Sequence, residues 1–227
     1  MISQPPFVLF ITVLCYAAGR RWQERSGQVW AQPALIAIVA LSLLILVLRV
    51  PYQQYLAGAQ LLSFGLGPAT VALAVPLHRQ AHQLAGYVMP LLVALVTGTV
   101  VSVGTGILVV RALGGPVQLA RTMAPKSATA PVSLALSGRL GGIPALSAVF
   151  TILVGVTGAV LGPWVLDRLR IMDKRARGLA LGAVSHGIGT SRAMAEHETE
   201  GAFAGLSMGL TALLTCVVAP VLVRLLT

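Results

Sequence analysis

The chain has 227 residues, of which 56% are hydrophobic and only 10% charged, with 16 Lys and Arg against 6 Asp and Glu for a net charge of +10. A soluble domain carries about 25% charged residues, and disorder requires low hydrophobicity, so both classes are excluded. The composition instead predicts an all-α, polytopic integral membrane protein in contact with a lipid bilayer. Its basic residues sit in short blocks between apolar runs, as orientation-setting loops do, and not in one stripe. That pattern argues against a nucleic-acid partner.

In chain order, Phe7 to Gly19 is a first apolar stretch, followed by Arg20-Arg21. A signal peptide has the opposite charge order, so this reads as a retained first membrane segment. The next block, Arg20 to Arg25, reads as a basic loop. Val29 to Leu48 is long enough to span, and Tyr52 and Tyr55 mark an interface. Leu56 to Leu77 is apolar but interrupted by Phe64-Gly65-Leu66-Gly67-Pro68, which predicts a break in mid-membrane. Tyr87 to Val110 and Pro144 to Leu166 are plain spans. Between them, Arg121 to Pro131 places two prolines around Lys126 and cannot be one. After the basic loop Arg168 to Arg177 come Gly178 to Ala195, containing Ser185-His186-Gly187-Ile188-Gly189-Thr190-Ser191-Arg192, and a last span, Gly201 to Leu226. This gives seven to eight membrane segments, three of them broken or re-entrant.

Those three share a short echo, with Thr70, Thr129 and Thr190 recurring at spacings of 59 and 61 residues. Such a period predicts internal repeats. Placing both basic loops, Arg20–Arg25 and Arg168–Arg177, on the inner face requires one segment to enter and return without crossing. The segment around Lys126 is the candidate.

Broken helices free backbone groups that must be satisfied inside the membrane, and transporters use half-helix N-termini to hold anions. Pro68 and Pro125 stand where such N-termini would begin, and Gly187 and Gly189 allow close backbone approach to a ligand. Lys126 is an intramembrane cation and therefore a functional candidate, with a snorkelling stem as the competing reading. Ser127 and Thr129 supply hydroxyls beside it. His186 could bind an anion or relay a proton; a hydrogen-bonded structural histidine is the plainer alternative. Arg192 follows six residues on. Glu196, Glu198 and Glu200 read as a solvated turn neutralising Arg192. Cys15 and Cys216 form no disulfide or metal pattern. The chain carries no Ser-His-Asp order, HExxH or phosphate loop, so no enzyme is expected.

The motifs Gly67-Pro68-Ala69-Thr70, Ala124-Pro125-Lys126-Ser127-Ala128-Thr129, Gly141-Gly142-Ile143-Pro144-Ala145-Leu146 and Ser185-His186-Gly187-Ile188-Gly189-Thr190 occur in order between Phe64 and Leu226. Together they resemble the LrgB/CidB family, the larger membrane partner of LrgA/CidA proteins. The resemblance divides the chain into N-terminal membrane segments over 1–60 and an LrgB-like transport core over 61–227. It implies one of two functions. The first is a carrier of small monocarboxylates such as pyruvate, glycolate, glycerate or lactate. The second is an antiholin-like regulator of murein hydrolase activity and lysis, acting with an LrgA/CidA-type partner. Where the family pattern reads Lys-Ser-Val-Thr-Thr-Pro, this chain has Ala130 in place of the second threonine.

The proline-broken segments and the intramembrane lysine and histidine fit the carrier reading, by alternating access. Lys126, Ser127, Thr129, Ser185, His186, Gly187, Gly189, Thr190, Arg192, Pro68 and Thr70 are the expected substrate-binding residues for a small carboxylate anion. No cofactor or metal is expected; H+ or Na+ is the expected coupling ion. A homo-oligomer, taken as a dimer, in the bacterial cytoplasmic (inner) membrane completes the expectation.

Overall fold

In the computed structural model the described residues are 5–26, 33–62, 64–65, 68 and 87–227, and every regular element among them is helical. The chain divides into two units, residues 1–72 and 73–227. Thr70 and most of the interrupted stretch Leu56–Leu77 lie outside the described residues.

In the first unit, α1 (Pro5–Ser26) packs against α2 (Pro33–Val47) and the short α3 (Tyr52–Gly58). The basic block expected as a loop is instead the last turns of α1. Arg20 and Glu24 are one helical turn apart and pair at 2.8 Å, an i,i+4 arrangement that favours continuing the helix. Tyr55 does not simply mark an interface, because its hydroxyl lies 3.1 Å from that of Thr12 on α1.

Among the described residues of the second unit, three helices are long and apolar enough to cross a membrane: α4 (Val88–Ala112), α7 (Pro144–Arg168) and α9 (Glu198–Leu226). Between α4 and α7 lie two short helices, α5 (Val117–Met123) and α6 (Ala130–Arg139). The chain doubles back between them. The hydroxyl of Ser133 donates to the carbonyl of Pro125 at 2.7 Å, and the N–H of Ile143 donates to the Thr122 hydroxyl at 2.9 Å. Thr122 and Ile143, 21 residues apart in sequence, can meet in this way only if the intervening chain turns round, here at Lys126 to Thr129. The buried side of this hairpin packs Ala120, Ala124 and Leu136 against Val103 and Ile107 of α4 and Ala219 and Val223 of α9.

A second hairpin lies between α7 and α9. Helix α8 (Lys174–Glu196) is regular except at His186, where φ is 40° and ψ is −129°. A β-carbon on Gly189 would lie 2.6 Å from the carbonyl oxygen of Leu181, eight residues earlier. In a straight helix those residues are about 12 Å apart, at 1.5 Å per residue. The chain therefore reverses at His186. Its first arm lies along α9 through Gly178 and Gly182, where a β-carbon would overlap the carbonyl oxygens of Glu200 and Ala204. Its second arm returns beside α9, with Met194 against Gly201. Absent side chains permit this close backbone approach, the usual basis of tight packing between apolar helices.

The base of this hairpin holds a charge cluster. Glu200 is fully buried, 3.2 Å from Lys174 and 3.4 Å from Arg177, and Arg177 is also bonded to Asp167 at 2.6 Å. The expected solvated acidic turn is corrected at this position: Glu200 is the counter-ion of Arg177, a residue read from sequence as part of a basic loop. Burial of one charge has required burial of its opposite. Asp173 caps α8 by accepting from the N–H of Arg175 at 2.8 Å, and hydrogen bonding from the Arg175 side chain pulls the Asp173 carboxyl down to about 2.

Candidate functional site

The two hairpins bring their tips to the middle of α4 and α7. At the second tip, His186 occupies the left-handed region, which costs a residue with a β-carbon roughly 1–3 kcal/mol. The surroundings hold it there. A β-carbon on Gly155 of α7 would lie 2.5 Å from the imidazole Cε1, and one on Gly158 would overlap the Ser185 hydroxyl. The two missing side chains form the seat into which the tip fits.

The imidazole is 5% exposed and its Nε2 lies 2.9 Å from the carbonyl oxygen of Thr151. A carbonyl only accepts, so Nε2 carries the proton and donates. Nδ1 takes no partner among the described residues and is the nitrogen left for a ligand. Thr190 donates to the His186 carbonyl at 2.7 Å, satisfying backbone freed by the break, and Ser191 does the same for Gly187 at 2.8 Å. Ser185 is fully buried with its hydroxyl unpartnered.

At the first tip, the Lys126 ammonium donates to the carbonyl oxygen of Ser102 on α4 and, at 3.2 Å, to the Ser102 hydroxyl. The Ser127 hydroxyl also bonds that of Ser102. Gly106, one turn along α4, leaves room for the ammonium: a β-carbon there would lie 2.9 Å from Nζ. A protonated lysine has three N–H groups, and Ser102 takes two. Thr129 is the N-cap of α6 but its side chain makes no capping bond, so the backbone donors of the first turn stay available. The expected half-helix N-terminus is thus at Ala130 and not at Pro125, which is buried in the turn before it.

Ser133 and Thr151 join the two tips. Ser133 gives its proton to the Pro125 carbonyl, so the Thr151 hydroxyl, 2.6 Å away, donates to Ser133. The carbonyl of the same Thr151 accepts from His186. One residue of α7 therefore holds both hairpin tips.

Of the residues expected from sequence, Lys126, Ser127 and Thr129 gather at one tip, and Ser185, His186, Gly187, Gly189 and Thr190 at the other. Arg192 is turned to its own helix and pairs with Glu196 at 2.7 Å. Pro68 belongs to the first unit and is exposed, and Thr70 is not among the described residues. Sequence reasoning missed Ser102, Gly106, Ser133, Thr151, Gly155 and Gly158. The available signal was small residues on one face of otherwise apolar spans, such as Ser102 and Gly106 at i,i+4.

All five carboxylates of the second unit, Asp167, Asp173, Glu196, Glu198 and Glu200, lie at the base of the second hairpin and at neither tip. A lysine, hydroxyls and a helix N-terminus without an acidic neighbour favour a small anion.

A chain whose described residues form only helices, three of them apolar and of membrane length, together with two hairpins, is a helical membrane protein. It belongs to the LrgB-like family, whose sequence profile matches residues 12–225. The chain is 36% identical to YwbG of Bacillus subtilis (strain 168) over 214 residues, covering 94% of this chain and 95% of that protein. It is 30% identical to the holin-like protein CidB of Staphylococcus aureus (strain Mu50) over 222 residues, covering 98% and 97%. A Haemophilus influenzae protein is also 30% identical over 216 residues, covering 95% and 94%. No solved structure matches.

Proposed function

We propose that the protein is a carrier for small monocarboxylates, working by alternating access in the bacterial inner membrane as a multi-pass protein. The observation that carries this reading is the meeting of two hairpin tips, one bearing Lys126 and the other His186, on the single residue Thr151. In the membrane the hairpins enter from opposite faces and return, while α4, α7 and α9 cross, and the remaining apolar segments bring the total to seven or eight. Lys126 and the N-terminus of α6 take the carboxylate, and Nδ1 of His186, an acceptor while Nε2 carries the proton, accepts from a hydroxyl group of the same molecule. Ser127 and Ser185 line the site. Either hairpin, the second together with α9, would open the site to one face by swinging from the tip of the other.

No redox or group-transfer chemistry is involved and no enzyme activity is proposed. H+ or Na+ is the coupling ion of this reading, and a homodimer its working form. The test is uptake of labelled pyruvate, glycolate or lactate into proteoliposomes. Saturable uptake that disappears in Lys126→Ala is expected; unsaturable leakage of unrelated dyes would overturn the carrier.

The second reading is an antiholin-like regulator of murein hydrolase activity acting with an LrgA/CidA-type partner. Its support is the 30% identity over nearly the whole chain to proteins named holin-like. It predicts dye leakage or altered autolysis that depends on the presence of that partner.

A further inference from the structure

The second unit is electrically lopsided. Its carboxylates lie at the base of the second hairpin, and the opposite end carries Arg111, Arg121, Arg139 and Arg224, in the last turns of α4, α5, α6 and α9. Three of these, Arg121, Arg139 and Arg224, line one cavity of about 880 Å³. None of the three is in an ion pair among the described residues, and the Nε of Arg121 is buried without a hydrogen-bond partner. A buried guanidinium nitrogen with no acceptor is costly, and a ligand anion would remove that cost.

Apart from Thr227 beside Arg224, the rest of the cavity is apolar and runs in one direction. Along α9 it is lined by Cys216, Pro220, Val223 and Arg224, so its wall passes over about two turns from apolar side chains to charge. Pro131, Val132 and Leu136 of α6 form the facing wall, which ends at Arg139. The arginines are at the helix ends and the apolar residues reach back toward the middle of the spans. A soluble anion needs only the arginine end of such a groove. A phospholipid uses both, with its phosphate among the guanidinium groups and its acyl chains along the helices.

We infer that this groove is a binding site for an anionic phospholipid, held by Arg121, Arg139 and Arg224. It is separate from the hairpin tips and does not depend on what the protein transports. Cys216 lies in the apolar half and is exposed, so it reports occupancy directly.

The experiment is maleimide labelling of Cys216 in a Cys15→Ser background, in nanodiscs of phosphatidylcholine with or without phosphatidylglycerol or cardiolipin. Anionic lipid is expected to slow labelling about tenfold, and Arg121→Gln/Arg139→Gln/Arg224→Gln to abolish that protection. Arg224→Gln alone, an exposed change in a last helical turn, is expected to weaken it and serves if the triple variant does not fold. Equal protection by phosphatidylcholine would overturn the proposal, as would protection by inorganic phosphate alone. Disulfide-linked dimers through Cys216 that form equally in every lipid would also overturn it, since the groove would then belong to a second copy.

Discussion

The imidazole Nε2 of His186 donates to the carbonyl oxygen of Thr151 at 2.9 Å, although 35 residues separate them. This bond places the reversal of the second hairpin against the same turn of α7 that receives the first. It also fixes the tautomer and leaves Nδ1 for other use. Replacing His186 therefore separates stability from function. His186→Gly relieves a backbone held at φ 40°, offsetting a lost hydrogen bond of about 1 kcal/mol with strain of similar size. The melting temperature is expected to stay near wild type while uptake is lost. His186→Gln keeps a donor for Thr151 and should fold equally well. Unchanged uptake in both variants would remove His186 from the site.

Gly155 tests the seat. Its β-carbon would meet the imidazole at 2.5 Å, whereas a β-carbon at Gly98 on α4 meets nothing within 4 Å. Gly155→Ala should cost about 1–3 kcal/mol by overpacking. Gly98→Ala should be neutral or slightly stabilising, alanine being the better helix former. Thermal unfolding of the two variants side by side decides the point, and equal melting temperatures would contradict the seat.

Lys126 is expected to be irreplaceable by arginine. Gly106 and Ser102 enclose a compact ammonium, and a planar guanidinium needs more room and a different fork of acceptors. Both Lys126→Ala and Lys126→Arg should lose transport while remaining folded by circular dichroism. Full transport by the arginine variant would mean that only charge, and not the Ser102 geometry, matters.

Glu200 should matter for stability far more than its neighbour Glu198, which is exposed. Glu200→Gln leaves Arg177 buried with Asp167 alone, at an expected cost of about 3 kcal/mol. Glu198→Gln should change little. A comparison of detergent melting curves checks this, and matched curves would refute the assigned role of Glu200.

Asp173 provides a small pH effect of known sign. Its folded carboxyl sits near 2 against an ordinary 3.8, so its contribution is present above about pH 4 and lost as pH falls toward 2. The side chain is exposed, so screening keeps that contribution below about 1 kcal/mol. Asp173→Asn should flatten the acid limb of the stability curve only slightly; a large change at neutral pH would contradict this.

The spans were legible from sequence because length and hydropathy determine them: Tyr87–Val110, Pro144–Leu166 and Gly201–Leu226 each lie within two residues of α4 and α7 and within α9. The break at Lys126 was legible from its prolines. The segment carrying His186 reads from sequence as broken or re-entrant, but the reversal at His186 itself was not legible, because no proline marks it; it depends on Gly155 and Gly158, about 30 residues earlier on another helix. Pairing of Arg177 with Glu200 was hidden for the same reason. Both residues look like surface charges until the hairpin folds and buries them together. Ser133 and Thr151 looked like ordinary packing hydroxyls, since only the meeting of two hairpins gives their hydrogen bonds a purpose.

A single residue, His197, separates the second arm of the α8 hairpin from α9, and it spends its side chain capping α9 by accepting from the N–H of Thr199 at 3.1 Å. So short a leash denies the second arm any independent travel. The arm and α9 must move as one piece, and the flexible joint has to be elsewhere, at the tip or at the five-residue connection 169–173 where the first arm leaves α7. Lengthening the leash by a few glycines would thus uncouple the hairpin from its largest neighbour without touching a single residue at either tip.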